Sequence, residues 1–460
     1  MIATLALALT LSERIDPLMD SPDLNGCLAE AVVMRLNGEV LYSRNADLRV
    51  VPASNQKILT CAFALDRLGP DERMSTTFWK EGDDIFIDAS GDPTITAEQW
   101  QKARAVLKPG PNTTIYVYSP FTVDVPPGWE FDDLPFRYAA RVHALTVNRG
   151  RYSITSKNGD AVAPAWAGVQ VRYSRGDGSL STTFNNTWDI VTLRGKLPKE
   201  GAEVGEYALP NPSQAVAKLL GGRLKFITTE ALPEREADYR IDGPTIGELV
   251  KAALEPSDNI ITEHLLMRAG GLGGYEGKDP YATAAAELNK YMAEVVKVPE
   301  DSVRAQDGSG MSRHNFVTGR AMAQILRHVS TKPFFQIFLD ALPQPGEGTL
   351  SNRLKGLPVS AKTGTLDAVC SLSGYVQPPG QEPVIFTMIS NHHVKGSGTI
   401  RVIQDKMVQE IQDYLVSERQ CYEYGIWCGQ SQKAALPYTS FDPSAGNWAS
   451  GFDRDSSFAR

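Results

Sequence analysis

The sequence predicts an α/β (α+β) fold: one five-stranded antiparallel sheet flanked by helices and split by a mainly β insertion. Three observations predict it. Near the N-terminus, "EAVVMRL" and "VLYSRNA" read as strands around Asn37-Gly38, a strong two-residue hairpin signal. Towards the C-terminus, "PVSAKTGTL", "SLSGYVQ" and "VIFTMISN" read as three more strands, followed by the long amphipathic segment "TIRVIQDKMVQEIQDYL". Between these blocks, from about residue 67 to 241, short β-like runs alternate with turn residues. The first and last blocks together make one sheet. The late helix covers one face of it and a helical block covers the other.

Each element follows in chain order. The apolar run from Ile2 to Leu11 is too short for a membrane span and suits the core of a secretory signal. Residues 1–20 are therefore read as a signal segment and the protein as periplasmic or secreted. The alternative is a buried N-terminal segment, since no positive charge precedes the run and no A-x-A follows it. Residues 21–66 hold the hairpin and an amphipathic helix, "VPASNQKILTCAFALDRLG". In the 67–241 insertion, "DIFIDASGDP", "TTIYVYS", "GVQVRY", "WDIVTLRG" and "LKFITTE" read as strands. "AEQWQKARAVL" and "PSQAVAKLLGG" read as helices among them. The insertion is one module, or two with 67–150 plus 206–241 as the first and 151–205 as the second. Residues 242–416 return to helices at 245–254, 258–269, 281–297, 315–329 and 333–341, and then the three strands and last helix. Residues 417–460 are polar and read as a loosely packed tail.

Bulk properties bound the function. A chain of 460 residues is too long for one hydrophobic core, so two or three domains are expected. Hydrophobic content of 42% and charged content of 22% are ordinary for a folded protein. A net charge of −8 argues against a nucleic-acid surface, while a local basic pocket for a small anion remains open. The five cysteines form no C-x-x-C motif, so zinc ribbons and dithiol redox sites lack support. Cys421 and Cys428 close a short loop, and their spacing leaves a disulfide open; Cys61 and Cys370 read as small buried hydrophobes. His392 and His393 have no carboxylate or cysteine at ligand spacing, so no metal is expected.

Three motifs carry chemistry. Ser54 and Lys57 stand one helical turn apart on one face. Alone, the pair also fits a helix cap beside a solvated lysine. "PSDNIITEHL" adds Ser257-Asp258-Asn259 at a loop-to-helix junction, and "VSAKTGTLDAV" adds Lys362-Thr363-Gly364 on a strand. That order of S-x-x-K, S-x-N and K-T-G is the set used by active-site-serine enzymes that open penicillin-like amides. A serine hydroxyl needs a nearby base, and Lys57 can serve only if burial or a second cation, such as Lys362, destabilises its ammonium form. Ser257 would relay a proton to the leaving amine, and Asn259 would hold the substrate's peptide backbone. Lys362 and Thr363 offer a cation and a hydroxyl to a terminal carboxylate. Gly364 lets the substrate lie along the strand edge. The backbone N–H groups of Ser54 and Thr365 form the natural oxyanion pair. Asp258, between the two functional positions, is read as pointing away to stabilise a helix start.

Further segments join these motifs. "DGSGMSRHN" (Asp307 to Asn315), "PGEGTLSNRL", "ASGDPTIT" and "WEFDDLPFRYAARVHALTVN" accompany them. With these, the sequence resembles the low-molecular-mass class C penicillin-binding proteins, the D-alanyl-D-alanine carboxypeptidase/endopeptidase family, over most of residues 22–416. The resemblance implies a β-lactamase/transpeptidase-like domain split by inserted domains between Ser54 and Ser257. It also implies hydrolysis of D-alanyl bonds in peptidoglycan stem peptides, acylation of Ser54 by β-lactam antibiotics, and no cofactor. Ser309, in the D-G-S-G stretch, is a candidate substrate contact; the plainer reading is a glycine-permitted turn. A β-lactamase is the nearest rival, disfavoured by the long insertion. A catalytically silent cell-wall-binding protein is the rival from another class. A Ser-His-Asp hydrolase lacks its G-x-S-x-G elbow. The sequence leaves the oligomeric state open.

Overall fold

The structure, a computed structural model, describes residues 9–423 apart from 273, 276 and 277. Its central sheet comprises β1 (Leu28–Arg35), β2 (Val40–Arg44), β3 (Val359–Leu366), β4 (Val369–Val376) and β5 (Val384–Asn391). The strand order is β3-β4-β5-β1-β2, antiparallel throughout, with Leu28 opposite Asn391 and Lys362 opposite Ser373. Both faces are covered, so β4 and β5 are buried along their whole length. Alternation still sorts the side chains: Ala31 and Val33 of β1 face one core, while Val32 and Met34 face the other.

On the first face lie α1 (Leu11–Met19) and α10 (Ser397–Glu423). A capping box starts α1: Thr10 Oγ1 accepts from the Glu13 N–H, and Glu13 Oε2 accepts from the Thr10 N–H at 2.7 Å. Leu11, Ile15 and Met19, four residues apart, bury one stripe of α1 against the sheet, and Arg14 reaches Glu410 of α10 at 3.1 Å. Burying each such aliphatic side chain contributes roughly 2 kcal/mol. The expected signal segment at 1–20 is therefore corrected from Leu11 onward: these residues are core of the folded domain, which begins ahead of residue 21. At the other end, α10 runs past the expected boundary at 417, and Glu418 pairs with Arg35 of β1 at 2.6 Å. The Cys421–Cys428 pairing lies outside the described residues; Cys61 and Cys370 are buried free thiols.

The inserted region leaves this domain after α2 (Gln56–Leu68), whose residues from Gln56 to Leu65 are all buried. A mixed five-stranded sheet runs Arg223–Ile227, Thr114–Tyr118, Asp84–Asp88, Thr76–Glu81, Tyr239–Ile241, with the first three strands parallel. The crossovers that parallel pairing requires contain α3 (Ala97–Leu107) and α4 (Pro212–Leu220), which pack together. Two three-stranded sheets occupy residues 151–208. Six strands in the insertion had gone unmarked, among them Thr76–Glu81 and Arg151–Lys157.

The second face of the central sheet is covered by α5 (Ile246–Leu254), α6 (Asn259–Gly270), α7 (Pro280–Tyr291), α8 (Gly319–Ser330) and α9 (Phe335–Ala341). Two expected boundaries move. The helix expected from 315 begins at Gly319, because Phe316 and Val317 pair instead with Val303 and Arg304. The helix expected through 297 widens after Tyr291 into a π turn at Met292–Val296. Among the described residues no helix is long and apolar enough to cross a membrane.

Candidate active site

Ser54 does not cap α2. It sits in a 3-10 turn, Ala53–Asn55, that precedes the helix, with Ala53 held at a left-handed φ of 47°. Several contacts fix this turn. Ser371 Oγ of β4 donates to the Pro52 carbonyl at 2.8 Å. The Asn391 side chain accepts from the Val51 N–H at 2.7 Å and donates to the Val51 carbonyl at 3.1 Å. Asn55 Nδ2 donates to Ser373 Oγ at 2.6 Å, Ser373 to Thr387 at 3.0 Å, and Thr387 to Glu30 Oε1 at 3.2 Å. This buried chain crosses β4, β5 and β1. Burial pushes the Glu30 carboxyl up to about 8.

Two glycines let neighbouring backbones approach the turn. A Cβ on Gly364 would lie 2.2 Å from Ser371 Oγ and 2.8 Å from the Ser54 nitrogen. One on Gly310, whose φ is 86°, would lie 1.9 Å from the Ala53 carbonyl oxygen. The K-T-G strand and the D-G-S-G turn thus press on Ser54 from two sides.

Lys57, fully buried, has three partners: Ser54 Oγ at 3.0 Å, Asn259 Oδ1 at 2.7 Å and the Ser309 carbonyl at 2.7 Å. The last two only accept. Asn259 is oriented by its own Nδ2, which donates to the Tyr138 carbonyl at 2.8 Å. A neutral Lys57 amine therefore spends its two N–H bonds on Asn259 and Ser309 and turns its lone pair to the Ser54 hydroxyl. Burial lowers Lys57 to about 8, against the opposing pull of Asp307, Glu263 and Asp258. Lys362, also fully buried, is held well below the ordinary lysine range by burial and by Lys57 beside it.

Two buried acids support this centre. Glu263, one turn along α6 from Asn259, accepts from the Gly308 N–H at 2.9 Å, the Ser309 N–H at 2.7 Å and Tyr281 Oη at 2.9 Å. Burial and the adjacent Asp307 raise it to about 7. Asp307 accepts from the Gly310 and Ser312 N–H groups at 2.8 and 2.7 Å. It also accepts from Asn315 Nδ2 at 2.8 Å and Trp129 Nε1 at 3.0 Å. The D-G-S-G turn is thereby frozen with the Ser309 carbonyl aimed at Lys57.

The structure thus brings half-buried Ser54 together with buried Lys57, Asn259 and Lys362, with Gly364 against the Ser54 nitrogen. Ser257, two residues before Asn259, is half-buried with a left-handed φ of 64°. Asp258 is the N-cap of α6, its Oδ1 accepting from the Ile261 N–H at 3.0 Å. Thr363 Oγ1 donates to Thr349 Oγ1 at 2.7 Å, which ties the "GTL" turn to the strand. Thr365 is exposed and accepts from Arg401 at 3.0 Å. Ser309 departs from its expected role. It is fully buried, its Oγ accepts from the Met311 N–H at 3.4 Å, and its carbonyl serves Lys57. Glu263 went unnoticed in the sequence, although its place four residues after Asn259, on the same helical face, was the available signal.

Comparison with known proteins agrees with this geometry. The family model described as the D-Ala-D-Ala carboxypeptidase 3 (S13) family matches residues 11–413. The D-alanyl-D-alanine carboxypeptidase of Actinomadura sp. (strain R39) is 28% identical, over 88% of this chain and 85% of that protein. The crystal structure of penicillin binding protein 4 (dacB) from Haemophilus influenzae superposes with a TM-score of 0.70 at 20% identity, covering 88% of this chain and 99% of that one. The same Haemophilus protein complexed with a β-lactam gives a TM-score of 0.66 at 19% identity, with the same coverage. The family match begins at Leu11, where α1 begins, and ends inside α10, so it spans the split domain and its insertion alike. The chain belongs to the D-Ala-D-Ala carboxypeptidase 3 (S13) family.

Proposed function

We propose that this chain is a serine D-alanyl-D-alanine carboxypeptidase that works through an acyl-enzyme on Ser54. The observation that carries the reading is the Lys57 amine, whose two N–H bonds are taken by Asn259 and Ser309 and whose third direction faces Ser54 Oγ at 3.0 Å.

Lys57 takes the Ser54 proton as Oγ attacks the carbonyl carbon of the penultimate D-alanine. The oxyanion is received by the N–H groups of Ser54 and Thr365, each such donor being worth roughly 3–4 kcal/mol. The C–N bond breaks, and the departing D-alanine amine receives the proton from Lys57 through Ser257. Lys362 and Thr363 bind the terminal carboxylate. Water then attacks the ester and restores the Ser54 hydroxyl. Applied to a cross-linked D-alanine, the same steps are endopeptidase action. The substrates are peptidoglycan stem peptides, which places the enzyme outside the cytoplasm, in the periplasm or secreted. β-Lactams mimic the dipeptide and acylate Ser54; the complex of the Haemophilus protein supports this expectation.

The test uses a fluorescent penicillin and a Lys-D-Ala-D-Ala peptide with the wild type and Ser54→Ala. Stable label and D-alanine release that both require Ser54 are expected. Rapid loss of label with antibiotic turnover indicates a β-lactamase instead. Neither labelling nor release leaves a silent binding protein.

A further inference from the structure

The helix that presents Asn259 is gripped by the inserted region at three successive points. The Tyr138 carbonyl accepts from Asn259 Nδ2 at 2.8 Å. Arg151 Nη2 and Arg149 Nη1 donate to Asp258 Oδ2 at 2.8 and 3.2 Å. The Gly91 carbonyl accepts from His264 Nδ1 at 2.6 Å, so the ring proton is on that nitrogen. Three separate stretches of the insertion converge on the first two turns of α6.

The central grip is buried and strained on both sides. The Asp258 and Arg151 side chains are 4% and 9% exposed. Ser257, just ahead of the cap, stands at φ 64°. Opposite it, Asn148, Arg149 and Gly150 are consecutive left-handed residues at φ 50°, 58° and 68°. Non-glycine residues keep that conformation only where their surroundings over-determine it. The turn is held by its own backbone: the Asn148 and Arg149 N–H groups donate to the Ile95 and Pro93 carbonyls, each at 2.8 Å. Its product is a pair of guanidinium groups aimed at one carboxylate. Asp258 spends its other oxygen capping α6, so its position fixes the next residue, Asn259.

We propose that Arg151, with Arg149 beside it, is a positioning residue for acyl transfer: acting through Asp258, it sets the first turn of α6 so that Asn259 Oδ1 meets Lys57. The inserted region is then part of the catalytic apparatus without touching the reacting atoms. This inference rests on the acyl-enzyme reading above.

The test compares Arg151→Gln, Arg151→Lys, Arg149→Gln and a control, Arg320→Gln, which loses an exposed pair with Asp47. Each full-length protein is titrated for active sites, and its acylation rate by fluorescent penicillin is measured from pH 5 to 10 alongside its melting temperature. Arg151→Gln is expected to lower the acylation rate per active site ten- to a hundredfold, with a much smaller change in reversible binding. Its acid limb should move to higher pH. The groups acting on the Lys57 charge are Glu263 and Asp258 at α6, Asp307 of the D-G-S-G turn, Cys61 of α2 and Lys362 of β3. Removing the guanidinium leaves Asp258 uncompensated among them. Arg149→Gln, at a more exposed position, should move both readouts the same way by about threefold in rate, and covers the case in which Arg151→Gln does not fold. Arg151→Lys should recover part of the rate. The inference is overturned if the folded variants melt earlier but keep the wild-type rate per active site and acid limb. If wild type takes up no label, the acyl-enzyme reading fails first, whatever Arg151 does.

Discussion

Ser54 and Asn259 meet at the Lys57 amine, but what holds each of them differs. Behind Ser54 stand backbone and sheet: Ser371, Ser373 and Asn391 bond the turn, and Gly364 and Gly310 let two strands of chain close on it. Behind Asn259 stand side chains and a carbonyl of the inserted region: Arg151, Arg149 and Tyr138. The nucleophile is therefore fixed by the most cooperative part of the fold, and its partner by an interface between two parts. Interfaces of that kind are where relative motion enters a protein. The nucleophile side should tolerate few substitutions, whereas the Asn259 side should respond in a graded way.

The largest effect should come from the amine that joins the two sides. Lys57→Met is expected to slow acylation by about 10²–10⁴-fold, the range of a lost general base, as measured by penicillin labelling. In the wild type, acylation should rise with pH as Lys57 loses its proton, with a midpoint near its folded-state value of about 8. A lysine that stays protonated would give no such limb there. Next, Gly364→Ala breaks the nucleophile side alone. Its Cβ would fall 2.8 Å from the Ser54 nitrogen, so the turn must shift and the oxyanion donor with it. A loss of about 10²–10³-fold in acylation is expected, with the fold retained by circular dichroism.

Asp307→Asn tests the base of the D-G-S-G turn. The carboxylate accepts four hydrogen bonds there, two from backbone N–H groups, and an amide cannot accept them all. A loss of about 3 kcal/mol is expected in denaturant unfolding. The last effect is at Glu30 and bears on the pH dependence of stability alone. Its folded carboxyl stays protonated up to about pH 8, while the unfolded one ionises near 4.5. The folded state therefore binds the extra proton between those values, and this group makes stability fall as pH rises from 4.5 to 8. Glu30→Gln should remove that slope, so its melting temperature should gain on the wild type between pH 5 and 8. Equal slopes would mean that Glu30 is ionised in the folded protein.

Much of the nucleophile side was legible in the sequence. Asn37-Gly38, the strand runs and the S-x-x-K, S-x-N and K-T-G order are local patterns, and local patterns put Ser54, Lys57, Asn259 and Lys362 together. What escaped were pairings with no local signal. Arg151 and Asp258 lie over a hundred residues apart and look like any surface charges until the chain is folded. Ser309 looked like a side-chain contact because a motif shows residue types, not which atom of a residue is aimed. The expected signal segment at 1–20 was drawn past the apolar run that suggested it, Ile2 to Leu11, because the Leu11, Ile15 and Met19 stripe carries no local mark of its partner, α10.

The order of the strands has a consequence for biosynthesis. β1 is bonded on one side to β2, made next to it, and on the other to β5, made last. Until β5 leaves the ribosome, β1 presents an open, apolar edge, the kind of edge that recruits other chains. Closing it spans most of the polypeptide, and contacts of such sequence separation form slowly. The inserted region is local by comparison and can fold while the catalytic sheet waits. A chain that stops short of β5 would then carry a folded insert on an unfinished sheet, with one edge of β1 unpaired.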